Sequence, residues 1–256
     1  MSLVEMMMAI AVMAILAVCL GTLTSTVYVT NDFMRAQGES VQHARIALRR
    51  IEHACDTAHA SPDFPGFWTV ASSAGSYTFP DALVVWTSSS PQSVDGPPRM
   101  QELTVFTFDP DAPNRLLEIT SPGDTRAAPA TTATATWLAE IAAMLKSNTA
   151  QQVQLTDLLR TADCSDVGAG ERGVVRFQTR LHPTSAEWAN YKGGSATWKS
   201  MTWPLGRAGS TFGVRQCWCA TELQLVPRDL PSQGDEAAAH AHAFFGSAAL
   251  STMLKP

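Results

Sequence analysis

The stretch 1-MSLVEMMMAIAVMAILAVCLGTLTSTVYV-29 decides the fold. From Met6 to Val29 it holds no charged side chain. About 20 residues of apolar helix cross a bilayer, so the run is long enough to span one. Glu5 sits inside its apolar end, where a carboxylate costs roughly 2.5 to 3.5 kcal/mol on insertion scales. An acid in that position needs a partner. The cation that the first turn offers is the α-amino group of Met1, on this copy or on a neighbouring one.

Beyond Val29 polar residues return, but a helical period continues. Val41, Ala44, Leu48, Ile51, Cys55 and Ala58 recur at steps of three and four and form one stripe. Gln42, Arg45, Arg49, His53 and Asp56 fall on other faces. Ser61-Pro62 ends the pattern, because a residue before proline is pushed out of the helical region. Residues 1–60 therefore read as one helix, roughly 90 Å long at 1.5 Å per residue. Its first half, 1–29, is apolar all round and suits lipid or a filament core. Its second half, 30–60, is amphipathic and suits packing under a head. Gly21 and the threonines from Thr22 to Thr26 are the weak points, and an unbroken helix is the expectation.

Residues 61–256 read as a β-rich head, which makes the chain α+β with an antiparallel sheet and short helical insertions. Phe67 to Ala71, Tyr77 to Phe79, Ala82 to Thr87, Glu102 to Phe108 and Arg115 to Thr120 read as strands between Gly, Pro, Asp and Ser turns. In the fourth, Leu103 and Val105 alternate with Phe106 and Phe108, so both faces are covered. TRAAPATTATAT, from Thr125 to Thr136, reads as an extended linker. Trp137 to Lys146 and Gln151 to Arg160 read as short helices. Gly173 to Arg180 and Val214 to Val226 return to strand, with an irregular Trp-rich stretch between them. The Ala-rich tail from Glu236 to Leu254 carries Phe244, Phe245, Leu250 and Leu254 near helical spacing and reads as a packed helix or as a segment lying on a neighbouring subunit.

Chemistry-bearing motifs are sparse. A net charge of −5 argues against a nucleic-acid footprint, which needs a clustered basic surface. Asp163 to Glu171 gathers acids and glycines but not at a calcium-loop spacing. His240 and His242 do not converge on a helix. Gly206, Gly209 and Gly213 lack the Lys-Ser/Thr of a phosphate loop. No G-x-S-x-G occurs. The residues point to no enzyme, no cofactor and no metal.

Met1-Ser2-Leu3-Val4-Glu5 followed by a long apolar helix resembles the mature N-terminus of type IV pilins and type II secretion pseudopilins. That family places Phe or Met first, then Thr or Ser, Leu, Ile or Val, and Glu, directly after the prepilin peptidase cut. The resemblance implies a processed and N-methylated Met1, and a helical filament of identical subunits built on residues 1–29. Glu5 would neutralise the amine of Met1 on an adjacent subunit. It also implies a prepilin peptidase, an assembly ATPase and a platform membrane protein as partners. The subunit would reside in the inner membrane before assembly and outside the cell afterwards. Ala14 and Thr22 depart from the family, which commonly carries Gly and Pro near these positions. ELTVFTFDPDAPNRLLEI and RIALRRIEHACDTA are similar, more loosely, to J-type pseudopilins and PilW-type minor pilins. A tip subunit is therefore the alternative to a main filament subunit, and a membrane-anchored periplasmic binding module is the rival of a different class.

Cys19 lies in the apolar helix and reads as a small buried residue. Cys55, Cys164, Cys217 and Cys219 remain, an even number for the oxidising compartment that such an anchor implies. Cys217 and Cys219 share a strand face, where bridging them to each other would strain the geometry. Each is expected to reach out, one to Cys55 and one to Cys164, with the assignment open. A zinc site of four thiolates is the weaker option, since the C-x-C pair has no C-x-x-C mate.

Overall fold

The computed structural model describes residues 2–61, 63–87, 96–201, 213–228 and 230–254. Met1, Pro62, Gly206 and Gly209, which the sequence brought into the readings above, lie outside them. Helix α1 runs unbroken from Leu3 to Asp56, 54 residues or about 80 Å. Gly21 does not interrupt it. It ends before the predicted Ser61-Pro62 stop, where the N–H and the hydroxyl of Thr57 both cap the carbonyl of His53.

The head is built on two antiparallel sheets. Strands β1 (Phe67–Ala74), β2 (Tyr77–Trp86), β3 (Leu103–Asp109), β4 (Ala112–Thr120) and β5 (Gln151–Thr156) form a meander in chain order. Strands β8 (Val175–His182), β9 (Gly213–Leu225) and β10 (His242–Leu254) form the second sheet, with β9 in the middle. A small hairpin, β6 (Thr161–Asp163) with β7 (Glu171–Gly173), connects them. Helices α2 (Thr134–Lys146), α3 (Ser185–Lys192) and α4 (Gly234–His240) are short.

The meander is covered on both faces, as the apolar alternation of β3 requires. On one face Trp68, Val70, Val84, Trp86, Val105 and Ile119 pack against Trp137, Ile141 and Met144 of α2. Trp68 and Trp137 meet edge to face, 4.7 Å between ring centroids. On the other face Leu83, Val85, Phe106 and Leu116 join Phe177, Leu223 and Leu225 of the second sheet. Into this second core α1 lowers Ala44, Ala47, Ile51, Ala54 and Cys55. The buried stripe of the helix runs Ala36, Ser40, Ala44, Ala47, Ile51, Ala54 and Cys55. It is turned slightly from the predicted one, and Val41 is exposed.

One predicted helix is a strand, and the predicted tail helix is a helix only as α4, through His240. Gln151 to Thr156 pairs with β4 as β5, and its outward Gln side chains mark a solvated edge. The tail after His242 is β10, paired with β9 over all 13 residues. Its inward set is His242, Phe244, Gly246, Ala248, Leu250 and Thr252, a strict period of two. Alanine favours helices, but here small residues serve a different need. A Cβ on Gly246 would stand 2.9 Å from Glu52 Oε1 and 3.0 Å from Leu48 Cδ2, so α1 lies directly on this strand. The seat is small because the helix is close.

Truncating Ile51, which is 2% exposed at the centre of this seam, should destabilise the full-length protein by roughly 2 to 4 kcal/mol. Ile46→Ala, on the outer face at 61% exposure, should stay within about 0.5 kcal/mol. Urea unfolding in detergent, followed by Trp fluorescence, measures both.

Candidate assembly surface

The first half of α1 leaves the head altogether. Every described residue from Ser2 to Arg35 is exposed, including Leu3, Met7, Ile10, Met13, Leu16, Leu20, Leu23 and Val27. This helix is long and apolar enough to cross a membrane. Three of its threonines are satisfied within it. Thr22, Thr24 and Thr26 donate their hydroxyls to the carbonyls of Cys19, Leu20 and Thr22 at 2.8 to 2.9 Å. Such bonding back to the preceding turn hides the hydroxyls from an apolar surrounding. At Thr22, Thr24 and Thr26 the segment can therefore be buried without stranding a hydroxyl.

At the tip, Ser2 is the N-cap and Glu5 the third residue of the helix. The Ser2 N–H donates to Glu5 Oε2 at 2.8 Å, and the Glu5 N–H donates to Ser2 Oγ at 3.3 Å. This reciprocal arrangement is a capping box, which satisfies two amide donors that the first turn would otherwise leave free. Sequence reading had not assigned Glu5 this bond, although Ser-x-x-Glu before an apolar run is its signature. A carboxylate near the helix N-terminus also meets the positive end of the helix dipole. Of the expected site residues, Ser2 and Glu5 are thus brought together, and Leu3 and Val4 are exposed between them.

The other half of α1 is clamped to the head by polar groups flanking the apolar seam. Arg50 bonds Glu118 of β4 through Nε and Nη2, both at 2.7 Å. The Glu118 side chain is 7% exposed and Arg50 is half exposed, so the arginine reaches from the helix surface to a buried acid. Nearer the neck, Arg228 links Glu39 Oε1 at 2.8 Å to both oxygens of Asp157. His43 Nδ1 lies 3.1 Å from Thr156 Oγ1 in the same cluster. None of these clamps was visible in the sequence, because their partners are 68 to 189 residues apart.

Elsewhere the polar groups are structural. Arg172 pairs with Asp81 and lies over Phe79 and Phe108. Burial pushes the Asp81 carboxyl up, with Arg172 opposing it. Asp163 accepts from Ser165 in the β6–β7 turn, which lowers its pKa. Among the described residues no three His, Cys, Asp or Glu side chains converge as a metal site would need.

The cysteines are free thiols, so neither of the two expected bridges is present. Cys164 sits in the β6–β7 turn against Phe79, Asp81 and Arg172, where it meets neither strand cysteine. Cys217 donates its thiol to the Phe67 carbonyl at 3.2 Å, and burial pushes its pKa up to about 12. Cys55 and Cys219 come together in the α1 seam.

No protein-family model, curated protein or solved structure matches this chain.

Replacing Arg50 by Met should strand the Glu118 carboxylate. A fully buried pair broken this way costs roughly 3 to 5 kcal/mol. Water reaches the half-exposed Arg50, which reduces the expected loss to about 2 kcal/mol. The exposed Arg45→Met is the control, with a shift below about 0.5 kcal/mol in the same urea unfolding assay.

Proposed function

We propose that this protein is the structural subunit of a type IV pilus-like filament, polymerising through the apolar half of α1. The observation that carries the reading is the division of one unbroken helix. Residues after Ala36 are bolted into the head, while Leu3 to Val29 present an apolar cylinder with no cover of its own. An apolar surface of this extent does not persist in water and marks a membrane or protein partner. Lipid in the inner membrane covers it before assembly. In the filament, the same segments of neighbouring copies cover one another, with heads outside.

The residue types suit that exchange. Ala9, Ala11, Ala14 and Ala17 let helices approach closely, and Met6, Met7, Met8 and Met13 fill irregular gaps. Glu5 supplies the register. As a subunit leaves the membrane, its carboxylate meets the α-amino group of Met1 on a neighbour. A buried pair of this kind selects an arrangement more than it stabilises one. A prepilin peptidase exposes that amine, and an assembly ATPase and a platform membrane protein drive the transfer. The resemblance of Met1 to Glu5 to mature pilins and pseudopilins supports this set of partners. The looser likeness of the head to J-type pseudopilins and PilW-type minor pilins favours a place at the tip, which trace abundance in sheared filaments would reveal.

Glu5→Gln separates the two roles of the side chain, since Gln also completes a capping box but carries no charge. We expect the variant to remain in the membrane fraction while its share of sheared surface filaments falls about a hundredfold. That scale lies just below the fold-change equivalent to the roughly 3 to 5 kcal/mol lost when one partner of a buried pair is removed, since Gln keeps the neutral hydrogen bonds of the site. Mass spectrometry of the N-terminal peptide should find a methylated Met1. Undiminished incorporation of Glu5→Gln, or an intact upstream leader, would contradict the reading.

A further inference from the structure

Three cysteines share the core at the C-terminal end of the docked half of α1, and they are not equivalent. Cys55 lies one residue before the end of α1 and is 0% exposed. Cys217 and Cys219 point inward from β9, the central strand of the second sheet. Cys217 is turned to the backbone, with its thiol on the Phe67 carbonyl. Cys219, 1% exposed, donates its thiol to the Ala220 carbonyl at 3.7 Å and shares the core cluster of α1 and the second sheet with Cys55. Interaction with Cys219 and burial both push the Cys55 thiol up, which disfavours the reactive thiolate.

We propose that Cys55 and Cys219 form a disulfide that staples α1 to β9 when the chain folds in an oxidising compartment, leaving Cys217 and Cys164 reduced. The compartment rests on the filament reading, while the choice of partners rests on the seam alone. The site lies at the far end of the docked half of α1, so pull along the projecting half reaches it through the helix. There a covalent link prevents α1 from sliding out of its small-residue seat.

The chemistry is thiol–disulfide exchange with a carrier disulfide, either glutathione disulfide or an oxidoreductase. One protein thiolate attacks a carrier sulfur, giving a mixed disulfide and one carrier thiolate. The second protein thiolate displaces the other carrier sulfur, closing the bridge. Two electrons pass to the carrier, which leaves as two thiols once it has taken up two protons. Because both sulfurs are enclosed by α1 and the sheet, the exchange precedes docking of the helix. In the folded, reduced protein the pair should resist both oxidation and alkylation.

The test is refolding of the reduced full-length chain in detergent with a glutathione redox buffer. Trapping with N-ethylmaleimide in denaturant and peptide mapping without reduction then report each cysteine. A Cys55–Cys219 linked peptide is expected, with Cys164 and Cys217 alkylated. The oxidised chain should also unfold at a higher urea concentration than the reduced one. Alkylated Cys55 after refolding, or a bridge through Cys217, would overturn the proposal. A bridge that forms on refolding but is missing from protein isolated from cells would instead count against the exported location.

Discussion

The structure depends on how closely α1 can lie on the head. That distance is set by small residues on both sides, Ala44, Ala47 and Ala54 from the helix and Gly246 and Ala248 from β10. Larger side chains there would lift the helix from the second sheet and open the core that Ile51, Phe106, Phe177 and Leu223 share. Overpacking of that kind costs roughly 1 to 3 kcal/mol per site. Arg50–Glu118 and the Arg228 cluster then fix the helix against rotation and sliding. Once the C-terminal half is held so, the N-terminal half has nowhere to fold back, and its apolar surface faces outward.

From this follows the division of the chain between two surroundings. The docked half obeys the rules of a water-soluble domain, with an apolar stripe inside and Arg45, Arg49 and His53 outside. The projecting half obeys the rules of a membrane segment. Its backbone is satisfied by the helix itself, and the hydroxyls of Thr22, Thr24 and Thr26 by the preceding turn. Glu5 reconciles an acid with this end of the helix. In the single chain it is a cap, and in the proposed filament it becomes half of an intersubunit pair. Both roles use the same oxygens, so assembly exchanges one set of bonds for another.

Much of this was legible in the sequence where local period and local chemistry agree. The helix through Val29 followed from an uncharged apolar run, and β1, β3, β4, β8 and β9 from alternation between turn residues, while the two expected strands Tyr77 to Phe79 and Ala82 to Thr87 are one continuous β2. Helix α2 was readable from Trp137 to Lys146. The misreadings lie where tertiary pairing overrides local preference. Gln151 to Thr156 becomes a strand because β4 presents an open edge, and His242 to Leu254 because β9 does. In the tail, Ala and Phe are compatible with either period, and the glycine at 246 was the signal that a neighbour approaches closely. The phase of the α1 stripe missed Val41, since several alanines make adjacent faces look alike. In the candidate site, the Ser2–Glu5 cap had a local signature, whereas Arg50–Glu118 and the meeting of Cys55 with Cys219 join elements distant in the chain.

The central claim is that the projecting half of α1 is buried against copies of itself. Photo-crosslinking through an unnatural amino acid at Val12, and separately at Val27, measures this in cells and in sheared filaments. The account predicts covalent dimers and higher multimers of this chain, most abundant in the filament fraction and joined through peptides of residues 3–35. Adducts confined to lipid, or to a different protein, would contradict it.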